Sequence, residues 1–232
     1  MMIDIEYNGI RGSSLGLIVK ERPAIPAAVK KANEIEIPGR SGVVRTEKEE
    51  FEESKFTIDF NYIGRSEDWY ERWRMAQEWL SIPNKKLILS DDPEYFFLVT
   101  KIELSEAERT TERIGNFSAT VRTKDGLHYL RSGALEYEPK KIKRNVYETA
   151  HPIYKISGTG TCVITVNEKN VTADIDQELT IDTERKLAYQ NRKMKNTALT
   201  GDYEDLYFRK GKIEVSITDG FEAKIIPNWR RV

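Results

Sequence analysis

A mainly β protein of two domains, with one α-helix in the first, is the fold class this sequence predicts. Three observations predict it. Apolar residues alternate with polar ones around residues 5–7, 56–62, 117–121 and 162–166, the period of a strand with one buried face. One stretch of the first half, residues 66–81, keeps large apolar residues at helical spacing instead. Near residues 135–148 the alternation is interrupted by Pro139, Lys140, Lys141, Lys143 and Arg144, which sets the division at 1–138 and 139–232. Both domains are expected to be β-sandwich-like.

Ile3, Ile5 and Tyr7 alternate with polar neighbours, and Asn8-Gly9 and Ser14-Leu15-Gly16 punctuate the residues after Tyr7, so the chain opens with short strands and tight turns. Leu17 and Val19 continue the pattern. Pro23 and Pro26 stiffen the next stretch and remove two backbone donors, which suits an exposed connector or an arm between subunits better than a central strand. Glu34-Ile35-Glu36-Ile37 reads as a strand ended by Pro38-Gly39, with Gly39 and Gly42 permitting the positive φ that turns need. Phe56, Ile58, Phe60 and Tyr62 alternate across the strand after it.

Ser66 is the expected N-cap of the helix, Glu67 and Asp68 suit the positive end of its dipole, and Pro83 stops it. Trp69, Trp73, Ala76 and Leu80 share one face, with Tyr70 and Trp79 expected to widen the stripe. Burying that face contributes roughly 8 to 12 kcal/mol gross, at about 2 to 3 for each large side chain. Leu87-Ile88-Leu89 and the strand from Tyr95 to Val99 flank Ser90-Asp91-Asp92-Pro93 as a hairpin. Ile102 and Leu104 then pair with Phe117, Ala119 and Val121 across an exposed charged stretch, residues 106–113. In the second domain short strands are expected at 153–156, 162–166, around Val171, and at 179–181, 213–217 and 223–226, the spacing of a β-sandwich.

The chain has 232 residues, with 37 basic and 38 acidic side chains that nearly cancel, so no global field draws it to nucleic acid or an anionic membrane. Its apolar runs are too short to span a bilayer, and Met1-Met2-Ile3-Asp4 lacks the regions of a signal peptide, so synthesis in a cytoplasm is expected. The single cysteine, Cys162, falls in an alternating strand and reads as a buried structural thiol.

The residues offer little chemistry. His128 and His151 lack ligand-like partners at metal spacing, and there is no Gly-x-Ser-x-Gly, Walker-type or dinucleotide motif. No enzyme activity, cofactor or metal is therefore expected. A glycosidase needs only two carboxylates across a cleft, but Asp174 with Asp176 and Glu34 with Glu36 read more simply as wet strand faces. Tyr203, Tyr207 and Phe208, beside Asp202, Glu204 and Asp205, are the candidate contacts for a sugar or a partner; packing at a domain edge is the competing reading. Glu47, Glu49, Glu50, Glu52 and Glu53 form an acidic run that reads as a solvated loop or, around a channel, as a surface repelling DNA phosphates.

The order of Ile37-Pro38-Gly39-Arg40-Ser41-Gly42, a Trp-containing helix ending in Trp79-Leu80, a hairpin around Asp92-Pro93 and Phe117-Ser118-Ala119-Thr120-Val121 resembles the first part of siphophage distal tail proteins, the Dit family. Ala150-His151-Pro152-Ile153-Tyr154 through Gly158-Thr159-Gly160, Leu179-Thr180-Ile181-Asp182-Thr183 and Gly211 are similar to the second part. The resemblance spans nearly the whole chain and points to a phage or prophage infecting a Gram-positive host. It implies a structural virion protein at the tail tip: a ring-forming domain at 1–138 and a galectin-like or carbohydrate-module-like domain at 139–232. Six copies, in one ring or stacked rings, would join the tail tube to the baseplate or host-adhesion device around a channel for DNA. Implied partners are the major tail protein, the tail-associated baseplate protein, the tape-measure protein and, in some phages, a receptor-binding protein; DNA is only passing cargo, and no membrane is involved. On this reading Arg22, Pro23, Pro26 and Arg40 are expected at the ring interface and the five glutamates along the channel. The alternative is a carbohydrate-binding module for host cell-wall polysaccharide.

Overall fold

The computed structural model describes residues 3–36, 38, 39 and 41–232, with the backbone alone for Ser66. The protein is mainly β with one α-helix, as expected, and divides into two compact units: residues up to His128 with Val232, and Tyr129–Arg231. The division lies ahead of the basic segment because Tyr137 and Ile142 pack with the second unit's core and take the preceding turns with them. Among the described residues no helix is long and apolar enough to cross a membrane.

The first unit contains β1 (Ile5–Tyr7), β2 (Ile10–Arg11), β3 (Leu17–Val19), β4 (Lys30–Glu36), β5 (Val43–Phe51), β6 (Ser54–Ile63), α1 (Trp69–Leu80), β7 (Lys85–Leu89), β8 (Tyr95–Leu104), β9 (Glu108–Arg109) and β10 (Ile114–Thr123). Its main sheet runs β2-β1-β7-β8-β10-β6-β3, with β9 against the start of β10 and β4–β5 standing apart as a two-stranded hairpin. The strands expected at 95–99 and 102–104 are one continuous strand, β8. Alternate residues of β6 and β10 are buried, and the register sets Phe60 opposite Phe117 with rings stacked at 5.0 Å.

Helix α1 covers this core. Trp69, Ala76, Trp79 and Leu80 are buried, Trp73 meets Phe117 edge-on at 5.0 Å, and the Trp79 indole donates to the Tyr7 carbonyl at 2.9 Å. Tyr70 does not join the stripe: it is 64% exposed, because one residue past Trp69 turns it about 100° away. A 3-10 turn over Ser66–Asp68 precedes the helix, which moves the N-cap position to Asp68, and the Asp68 side chain makes no capping bond. The Ser66 side chain lies outside the described residues. The helix ends where the Ser81 N–H returns to the Gln77 carbonyl, ahead of Pro83.

The chain crosses into the second unit along β11 (His128–Leu130). There follow β12 (Arg144–Asn145), β13 (Ile153–Val166), β14 (Lys169–Asp182), β15 (Leu187–Gln190), β16 (Lys193–Met194), β17 (Leu199–Thr200), β18 (Gly211–Lys212), β19 (Val215–Ile217), β20 (Glu222–Ile226) and β21 (Arg230–Arg231). The short strands expected around Gly158-Thr159-Gly160 merge into a long ribbon, β13 paired with β14 in unbroken register. The glycines between them make a bend within one strand. Gly158 and Gly160 take φ of 153° and 112°, and Gln177 opposite Gly158 takes 71°. A Cβ on Gly158 would collide with the Phe221 ring, so only glycine leaves that ring its place.

The ribbon buries the same face on both sides of the bend: Tyr154, Ile156, Cys162, Ile164 and Val166 on β13, and Val171, Ala173, Ile175, Leu179 and Ile181 on β14, all in one core. On one side of the bend β15 and β20 flank the ribbon, and on the other β17 and β19 do. One bent sheet thus supplies what two separate sheets supply in a conventional sandwich.

Candidate assembly surfaces

The β4–β5 hairpin is the element whose sequence and surroundings disagree most. Glu36 pairs with Val43, Ile35 with Val44, Glu34 with Arg45 and Asn33 with Thr46, so side chains at these positions sort onto two faces. One carries Glu34, Glu36, Val43, Arg45 and Glu47, with Arg45 and Glu34 paired at 3.5 Å. The other carries Ile35 opposite Val44, with Asn33 and Thr46 beside them. Ile35 is 56% and Val43 48% exposed, and Phe51 at the base is the hairpin's one buried residue. Gly39 and Gly42 take the positive φ expected of the turn, at 80° and 87°.

The acidic run does not act as one block. Glu47 shares its face with Glu34 and Glu36. Glu49 and Glu50 fall where the register shifts between Lys30 and Ala32, and Glu50 bonds to the Lys31 ammonium at 2.9 Å. Glu52 and Glu53 come after the strand and are exposed. Of the expected interface residues, Arg22 is exposed and pairs with Asp91, and Pro26 is exposed. Pro23 is buried, which corrects its reading as part of an exposed connector: it faces the unit's own interior and offers no surface. Arg40 lies outside the described residues.

In the second unit Phe208 is fully buried, edge-on to Tyr154 at 6.1 Å and tilted against Trp229 at 5.7 Å. It belongs to the core and not to a binding face, a correction that rests also on its strand-like exchange of backbone bonds with Ala150, both at 3.0 Å. Tyr203 and Tyr207 are half-buried, and desolvation by burial raises the pKa of both phenols.

Tyr207 also leads to a cluster that the sequence did not signal. Its ring stacks on His151 at 4.0 Å. His151 Nδ1 lies 2.5 Å from Glu184 Oε2, and Nε2 lies 3.0 Å from Arg230 Nη2. A guanidinium only donates, so Nε2 accepts and Nδ1 carries the hydrogen toward Glu184. The buried Arg230 also donates Nε to the Thr149 carbonyl at 2.7 Å, and Asn228 donates to the His151 carbonyl at 2.9 Å. The cluster fastens the last residues of the unit to the 148–151 segment. His128 meanwhile sits between aromatic rings, 4.6 Å from Phe97 and 6.2 Å from Tyr95.

Asp174 and Asp176 project from the exposed face of β14, opposite Thr161 and Thr159. Cys162 is a free, buried thiol whose pKa is pushed up by burial against weaker hydrogen bonding from Thr218, which disfavours the reactive thiolate. Among the described residues no group of three His, Cys, Asp or Glu side chains is placed to hold a metal ion.

A mainly β chain of two units with one α-helix has a counterpart of similar fold among solved structures. It is similar to the crystal structure of the Dit protein of SPP1, described as a paradigm of the hub adsorption apparatus in Gram-positive infecting phages. The TM-score is 0.65 at 11% identity, over 97% of this chain and 98% of that one. The likeness at this identity is one of fold. No protein-family model matches the sequence, and no curated protein matches it.

Proposed function

We propose that this chain is a structural hub of a phage tail tip: a distal tail protein whose first unit closes, with five further copies, into a ring between the tail tube and the baseplate or adhesion device. The likeness of fold along nearly the full length of both chains carries this reading. The β4–β5 hairpin supports it, because an isolated two-stranded hairpin is marginal in water and this one leaves Ile35 and Val43 exposed in its own unit. A neighbouring copy is the cover that the reading supplies. Repeated around a closed heterologous ring, the contact sets the symmetry on which the tube, baseplate and tape-measure proteins assemble. The face with Glu34, Glu36 and Glu47 then suits the wall of a DNA channel, where negative potential keeps a passing polyanion from adhering. The exposed Pro26 and Arg22 are further interface candidates. The role is assembly, without catalysis or a cofactor. With Phe208 in the core, the carbohydrate-binding alternative is left with Tyr203 and Tyr207 alone.

Light scattering across a concentration series, with negative-stain images, tests the reading. Six copies of 26.9 kDa give 6 × 26.9 = 161.4 kDa, and a species of that mass with a central hole is expected. A monomer at every concentration, including when mixed with the tail-tube and baseplate proteins of the same phage or prophage, would overturn it.

A further inference from the structure

A groove of about 630 Å³ in the second unit takes no part in the proposed ring. The segment with Pro139, Lys140, Ile142 and Lys143 forms one wall, and residues 212–216 form the other. Three features of the groove ask for different things from a ligand.

The first is charge. Lys140 and Lys143 on the lining have no ion pair among the described residues, whereas Lys141 between them is paired with Glu138. Arg144 stands directly opposite Lys212 in the β12–β18 register, a like-charge pair that is unfavourable without an anion near it. Lys212 is neutralised in part by Glu214, which leaves Glu168 as the other acidic group on the lining.

The second is an apolar floor. Pro139, Ile142, Ile213 and Val215 line the groove; Ile142 and Ile213 are buried beneath it, and the half-buried Pro139 and Val215 are the apolar residues that present surface.

The third is backbone. The Asn167 N–H bonds to the Glu214 carbonyl and the Thr218 N–H to the Val163 carbonyl, so Glu214, Ser216 and Thr218 turn their backbone groups toward the ribbon. Val215, between them, turns its N–H and C=O away from β13, to a side where no strand meets it among the described residues. β19 ends the sheet order there.

A phosphate polymer would answer the cations and leave the floor and the backbone unanswered, and a neutral sugar would leave the cations. An extended peptide carrying acidic and apolar side chains answers all three. We infer that this groove receives an extended acidic segment of a partner protein, with backbone pairing to Val215, an apolar side chain on Pro139 and Val215, and carboxylates at Lys140 and Lys143. The hub reading supplies only the expectation that partner proteins exist.

The probe is a fluorescein-labelled peptide of alternating glutamate and valine, titrated into the full chain at low salt and followed by anisotropy. Saturable binding is expected, at least about tenfold tighter than for the matching lysine-valine peptide or for polyglutamate of equal length. The surface substitutions Lys140→Glu with Lys143→Glu should weaken it by about tenfold or more. Val215→Pro removes the outward N–H at a sheet edge, where proline is tolerated, and should weaken binding without touching a lysine. Circular dichroism melts of each variant show that the fold is kept. Equal binding of polyglutamate, or full binding by a folded Val215→Pro variant, would mean a contact of charge alone and overturn the inference, as would indifference to the lysine changes. If no ring forms while the peptide binds as expected, the hub reading fails and this inference stands.

Discussion

Two antiparallel hairpins of this molecule obey the same alternation and meet opposite fates. In the β13–β14 ribbon alternate side chains on both sides of the bend enter a core flanked by β15, β17, β19 and β20. In β4–β5 the alternation of Glu34, Ile35 and Glu36 is just as regular, yet Ile35 and Val43 stay exposed and only Ala32 and Val44 are half-buried above Phe51. Alternation therefore reports which face wants to be dry and not whether the same chain will dry it. The first hairpin holds its unit together, and the second leaves Ile35 and Val43 exposed.

The two hairpins should part most sharply in what a truncated isoleucine costs. Ile164→Ala should destabilise the second unit by about 2 to 5 kcal/mol in urea unfolding, whereas Ile35→Ala in the other hairpin should stay within about 0.5 kcal/mol. An equal loss at both sites would show that the hairpin is already covered within the monomer. Next in size is the buried arginine of the cluster under Tyr207. Arg230→Met leaves Glu184 and His151 facing a lost cation, and should lower stability by about 3 kcal/mol in the same assay. Gly158→Ala places a methyl where the Phe221 ring lies and should cost about 1 to 3 kcal/mol in thermal melts, with part of the loss recovered when Phe221→Ala is added.

The hairpin's own test is of assembly. Ile35→Asp should leave the melting of the monomer nearly unchanged while abolishing any 161.4 kDa species (6 × 26.9) in light scattering. Unaltered rings in that variant would remove the arm from the interface. The smallest effect expected is on acid stability. A hydrogen bond and charge from Lys155 on β13 hold Glu136 below the usual carboxylate range. A group with a depressed folded pKa stabilises above its unfolded value and loses that contribution as pH falls through the folded one. Glu136→Gln should therefore flatten the fall of stability below about pH 4.5, a slight change on an exposed pair. A slope identical to that of the parent protein would show that the pair does nothing in solution.

Local chemistry by itself determined the mainly β class, the strands with one dry face, the helix stripe of Trp69, Trp73, Ala76 and Leu80, and the turn glycines at 39 and 42. Periodicity and positive φ are properties of neighbours in sequence, so they can be read there. The order of motifs was also legible, and the likeness to SPP1 Dit bears out the fold that this order suggested. What only the tertiary structure decided depends on residues far apart in the chain. Gly158 and Gly160 bend a strand because Gln177 and Ile175 stay in register opposite them. Phe208 is dry because Tyr154 and Trp229 enclose it, and the triad of His151, Glu184 and Arg230 exists because three distant segments meet. Lys140 and Lys143 looked like any solvated linker until residues 212–216 closed a groove against them. No local pattern encodes a contact between segments so distant, since burial and pairing there are set by which surfaces the folded sheets bring together.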